Sequence, residues 1–180
     1  EWTILGKMIA DARAAVDALS KQPLVDPARI FVLGYGLGGM VALHAAALDE
    51  RIAGAVSVAG FTPFRLDTEE KGTGGPLRHS DRYPLLPSLG RSANRAPYDF
   101  HEVLASIAPR PVLVVAPTHD REATLPDVIA CVQAAQGVYH LLGTGEELQM
   151  WTPGDYNRYP SEMQAEVNRR LKEMVSRSPR

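Results

Sequence analysis

With 180 residues, 45% of them hydrophobic and 22% charged, the chain has the size and composition of one globular domain that buries its own core. Its 19 basic and 21 acidic residues are interspersed and leave a net charge of -2, which excludes the basic face that a general grip on nucleic acid needs. No apolar run approaches the ~20 residues of a membrane span. A single cysteine, Cys131, excludes an internal disulfide and a cysteine-based metal cluster. Nothing in the composition implies a cofactor or assigns a compartment.

The chain starts at Glu1 with no export-type segment and opens into a helical pattern. Ile4, Met8, Ala12, Ala15, Val16 and Leu19 recur at helical spacing, which predicts an amphipathic helix over 4–19. Pro23 and the Asp26-Pro27 pair stop it. Arg29 to Leu33 is a short apolar run between turn signals and reads as a buried strand. The turn Gly34-Tyr35-Gly36-Leu37-Gly38-Gly39 follows, then a helix from about Met40 to Leu48 and a strand over Ile52–Val58. Strand, glycine turn, helix and strand make a βαβ unit, which implies parallel pairing.

Residues 60–97 carry Gly72, Gly74, Gly75, Pro76, Pro84, Pro87, Gly90 and Pro97 and keep no period. They read as a cap or lid inserted over the sheet. Further elements follow in order: a helix over Tyr98–Ala108, a strand over Pro111–Ala116, and a helix from Thr124 or Pro126 to about Leu142. A short strand over Leu148–Trp151 and a helix over Pro160–Val175 complete the chain. This alternation predicts an α/β domain spanning 1–180, with a doubly wound, mostly parallel sheet of about four strands.

The glycine turn has three readings. Gly34-x-Gly36-x-x-Gly39 matches the dinucleotide fingerprint, whose glycines let backbone approach a pyrophosphate. That fingerprint wants an acid about 20 residues on, and the strand there ends Val58-Ala59-Gly60 without one. Gly34-Tyr35-Gly36-Leu37-Gly38 also matches the nucleophile elbow G-x-S-x-G except at its centre, where Gly36 replaces serine. An elbow this tight predicts that side chains two positions either side of the apex collide. A plain tight turn is the third reading.

Six stretches in one order separate these readings. They are Val25–Ile30, the elbow, Ala47–Ile52, Pro97–Phe100, Ile107–Pro117 and Pro153–Arg158. From Gly6 to about Leu171 the chain resembles the C-terminal half of bacterial α/β-hydrolases of the dienelactone hydrolase and acetylxylan esterase type. The resemblance implies a serine nucleophile at the elbow, an aspartate after the next-to-last strand and a histidine after the last. In this sequence the positions fall on Gly36, on Asp120, and on Trp151 just before Thr152-Pro153. The Leu37 N–H would serve as one oxyanion donor, and the second would come from an earlier loop outside this chain.

On that placement Asp120 is a relic acid. Without a hydroxyl at residue 36 no acyl intermediate forms. An indole at residue 151 donates a hydrogen bond and takes no proton. His119, beside Asp120, is the one candidate for a substitute base. His44 and His140 read as packing or surface residues, His101 as a helix cap, Cys131 as a small core residue, and Ser57 lies off the elbow. His79 falls in the insertion.

The expectation is a catalytically inactive hydrolase-fold domain with a structural or binding role in a larger assembly. The alternatives are a carboxylic-ester hydrolase, active or inactivated by design at Gly36, and a nucleotide-binding module. The resemblance also places the strand at Ile30–Leu33 inside a larger sheet. Its edge is therefore expected to be covered by an N-terminal segment or a protein partner.

Overall fold

In the computed structural model the described residues are 3–66 and 97–177. Most of the expected insertion, with His79, lies outside them. Helix α1 spans Ile4–Leu19 and buries Leu5, Ile9 and Val16. It starts at Thr3, whose Oγ1 accepts from the Gly6 N–H at 2.8 Å. Strand β1 is Ile30–Tyr35, α2 Leu37–Leu48 and β2 Ile52–Val58. Beyond the insertion come α3 (Phe100–Ile107), β3 (Val112–Val115), α4 (Leu125–Leu141), β4 (Leu148–Trp151) and α5 (Ser161–Arg177).

The four strands are parallel and ordered β1-β2-β3-β4. Alternate side chains divide the core between the two faces of the sheet. Ile52, Ala55, Val112 and Val114 pack with residues of α1, α2, α3 and α4. Val56, Val58, Leu113 and Val115 pack with Met163, Val167 and Met174 of α5. Burying each such valine or leucine is worth roughly 1.5–3 kcal/mol, so both helix layers are held by the same strands. This is the doubly wound α/β architecture expected.

Most boundaries shift by one or two residues, and the difference that matters lies at the elbow. β1 runs on through Gly34 and Tyr35, and α2 starts at Leu37 rather than Met40. The turn between them is a single residue, Gly36. β1 forms one edge of the sheet, and among the described residues no strand pairs with its outer side.

Charged groups tie the strand beginnings together. Asp49, its side chain 4% exposed, accepts from the Arg51 Nε at 2.9 Å and Nη2 at 2.6 Å. Arg51 reaches on to Asp17 of α1 at 2.6 Å, and Arg13 lies 3.5 Å from Asp49. Arg110 Nη1 donates to the carbonyls of Asp49 at 3.0 Å and Ile52 at 2.8 Å. The Arg51 guanidinium holds the Asp49 carboxyl down at about 2.

Asp99 joins the two flanks of the insertion. Its carboxylate accepts from the N–H groups of Phe64 at 2.8 Å, Arg65 at 3.1 Å and Phe100 at 2.8 Å. Glu102 closes a capping box with the Asp99 N–H. The cap of α3 is therefore Asp99, and His101 sits within the first turn.

Candidate active site at the strand ends

Gly36 takes φ 55° and ψ -127°, a conformation that L side chains rarely adopt. Its N–H donates to the Val58 carbonyl at 2.9 Å, and its own carbonyl accepts from Gly39 at 2.9 Å. A Cβ at residue 36 would meet nothing within 4 Å. The apex thus has room for a side chain, and only backbone strain of about 1–3 kcal/mol opposes one.

The flanking glycines answer to packing. A Cβ at Gly34 would lie 2.0 Å from the Gly38 carbonyl oxygen. One at Gly39 would lie 2.8 Å from Ser57 Oγ and 3.0 Å from Gly60 Cα. One at Gly38 would meet nothing, so the expected collision exists on one side of the apex only. Gly39 lets α2 seat on the end of β2, which accounts for the third glycine of the dinucleotide pattern without a phosphate. Leu37 is the first residue of α2, a position whose N–H has no partner within the helix. Ser57 is fully buried beneath this turn, and its hydroxyl has no hydrogen-bond partner.

Asp120 lies in the turn after β3. Its Oδ1 accepts from the Glu122 N–H at 2.8 Å and from Asn157 Nδ2 at 3.1 Å. Asn157 also faces the elbow: the Tyr35 hydroxyl lies 2.7 Å from Asn157 Oδ1 and 2.9 Å from its carbonyl. Tyr35 stacks on Tyr159 with centroids 5.8 Å apart. Partial burial, with help from Glu122 and Asp120, pushes the Tyr35 hydroxyl above its ordinary range.

Trp151 sits elsewhere. It pairs with Val115 inside the ladder. The two segments then stay paired beyond their strands, through Ala116 to Trp151, Thr118 to Pro153 and His119 to Asp155, each at 2.9 Å. The segment level with Asp120 is therefore 155–157. The Trp151 ring packs against the α5 cluster, and Arg170 lies 5.2 Å over its face. Asn157, rather than Trp151, stands against Asp120. Its stretch, Pro153–Arg158, was visible in the sequence, but the length of the pairing that positions it was not.

His119 is exposed, and its ring lies 5.5 Å from that of Tyr156. His44 is buried, bonded to the Met40 carbonyl at 2.8 Å and the Tyr98 hydroxyl at 3.0 Å, and burial lowers its pKa. It borders a cleft of about 390 Å³ between α1, α2 and α3 that none of Gly36, Asp120 and Asn157 lines. Cys131 is buried, and desolvation pushes its thiol up to about 12, so it is an inert core residue. No group of three or more His, Cys, Asp or Glu could hold a metal among the described residues.

A parallel sheet wound on both faces, a one-residue elbow after β1 and an acid in the loop after β3 are features of the α/β-hydrolase fold. The chain belongs to the family described as glucuronyl esterase, fungi, which matches residues 5–143. A polyketide transferase of Stachybotrys chlorohalonatus is 40% identical over 82 residues, covering 46% of this chain and 28% of that protein. A promiscuous CE15 esterase from a marine bacterial metagenome superposes with a TM-score of 0.82 at 21% identity, over 97% of this chain and 49% of that one. A glucuronoyl esterase from Solibacter usitatus gives 0.78 at 20% identity, over 97% and 50%. At these identities the structural likeness is one of fold. The chain spans about half the length of these solved structures.

Proposed function

We propose that this chain is a non-catalytic member of its esterase family, with a structural or binding role inside a larger assembly. The observation that carries the reading is Gly36: an elbow in the backbone conformation of a nucleophile, with space for a side chain and no atom to attack with. Ester hydrolysis at an elbow begins when the apex hydroxyl adds to the ester carbonyl, and an imidazole held by a carboxylate takes its proton. Here the apex has no hydroxyl, and the group against Asp120 is a carboxamide, which does not titrate. What remains suits binding: the free Leu37 N–H can donate to a carbonyl, and Asp120 can accept from a hydroxyl. Glucuronoyl esters, named for the esterase structures of the same fold, are the ligand class proposed. The dienelactone hydrolase likeness of the six sequence stretches is then kinship within the wider superfamily.

The edge of β1 supports the assembly part of the reading. Leu33 and Tyr35 are 39% and 40% exposed along it, and an unpaired apolar edge recruits another strand. A preceding segment of the same protein or a protein partner is proposed to pair there.

Two measurements test this. Turnover of p-nitrophenyl acetate and of a benzyl glucuronate ester is expected at the buffer rate; turnover that disappears on Asp120→Ala would overturn the non-catalytic reading. Light scattering on the isolated chain is expected to show association. A monodisperse monomer of 19.6 kDa would overturn the covered edge.

A further inference from the structure

We infer that Asn157 occupies the base position of this site, and that Gly36, Asp120 and Asn157 together keep the frame of a complete triad. The inference deepens the non-catalytic reading and rests on it. Three observations carry it. In hydrolases of this fold the triad follows the chain order nucleophile, acid, base, and Asn157 is the residue after β4 whose side chain bonds to the acid, through Nδ2 at 3.1 Å. The same side chain is bonded to Tyr35, the residue before the apex, at 2.7 Å. Its loop is held at several points: Thr118 and His119 donate to the carbonyls of Pro153 and Asp155, Arg158 pairs with Asp155 at 2.6 Å, and Tyr159 stacks on Tyr35.

An asparagine in this place repeats one half of what a histidine does there. Its N–H donates to Asp120 as an imidazole N–H would, so the acid stays satisfied. It offers no second nitrogen able to take a proton. The polar network therefore survives the loss of chemistry, and the loop keeps its position. Trp151, level with Val115 and set against α5, plays no part.

The test replaces the two absent groups. In Asn157→His, the imidazole is expected to titrate about one unit above its free value of about 6.5, because the Asp120 carboxylate favours its charged form. The shift should vanish in Asn157→His/Asp120→Asn. It should persist in Asn157→His/Glu122→Gln, since Glu122 Oε2 is the more distant acceptor at 3.4 Å. Nuclear magnetic resonance of the ring protons reads this out. An imidazole that ignores Asp120 would overturn the inference and leave the non-catalytic reading intact.

The second readout is covalent. With a fluorophosphonate probe, the serine oxygen introduced by Gly36→Ser bonds to phosphorus, fluoride leaves, and the hydroxyl proton passes to the introduced imidazole. Gly36→Ser/Asn157→His is expected to label about 10²-fold faster than Gly36→Ser alone or Gly36→Ser/Trp151→His. Equal rates in all three, or a faster Trp151 variant, would overturn the inference. Labelling of the unmodified chain would instead overturn the non-catalytic reading. A measurement without substitution at 157 guards against misfolding. The Asn157 side-chain amide resonances should move on Asp120→Ala, and the Trp151 indole resonance should not; the reverse would overturn the inference.

Discussion

The two ends of the parallel sheet treat polar groups in opposite ways. Where the strands begin, charge is buried and paired: Asp49 with Arg51 and Arg13, and Arg110 with two backbone carbonyls. Where the strands finish, Tyr35, Asn157 and Asp120 are exposed or half-buried and are joined across loops. Open α/β sheets bind their ligands at that second end. On the non-catalytic reading proposed above, the difference lets such a site exchange its side chains and keep its fold. Gly36 supports no packing through a side chain, and Asn157 preserves the bond that Asp120 needs. At the first end the same exchange removes a buried partner and is expected to cost more than it does at Asn157.

Four substitutions would break or sharpen this contrast. Gly34→Ala should have the largest effect, although it lies at the site end, because its Cβ would sit 2.0 Å from the Gly38 carbonyl oxygen, which is backbone. A loss of more than about 4 kcal/mol is expected, read as loss of soluble folded protein. A melt close to that of the parent would contradict the one-residue elbow. Asp49→Asn comes next, at about 2 kcal/mol near pH 7 in urea unfolding. The carboxyl is lowered from 3.8 to about 2 in the folded state. Its contribution is therefore full above about pH 4 and lost as pH falls toward 2. The gap between parent and variant should close over that window; a gap unchanged at pH 2 would remove the ion pair from the account.

Gly36→Ser should cost about 1–2 kcal/mol from backbone strain alone, measured by thermal melting. A cost as large as that of Gly34→Ala would mean that the apex is not open. Asn157→Ala should be the mildest, under about 1 kcal/mol, since its partners lie at or near the surface. If it matched Asp49→Asn in urea unfolding, the two ends would not differ as described.

Much of this was legible in the sequence. The helix at 4–19 and the strands at 52–58 and 148–151 were bounded by periodicity and by turn residues. The elbow was legible from spacing, because Gly34 and Gly39 are demanded by backbone contacts that leave a fixed pattern. Gly38 carried no such demand, and spacing alone could not distinguish it. The side chain that meets Asp120 was the illegible part. The apolar run marks where β4 starts, but its pairing with β3 continues through Pro153 and Asp155 with residues of no strand character. Only that continuation brings Asn157, rather than Trp151, level with Asp120. The charge clamp at Asp49 was also hidden, since Arg13 and Asp17 of α1 and Arg110 before β3 join it from distant parts of the sequence.

The most direct test of the central claim uses the unmodified chain. Intact-mass spectrometry after exposure to a fluorophosphonate probe should show the parent mass alone, because residue 36 offers no hydroxyl. A stoichiometric adduct on any serine, lost on Asp120→Ala, would contradict the account.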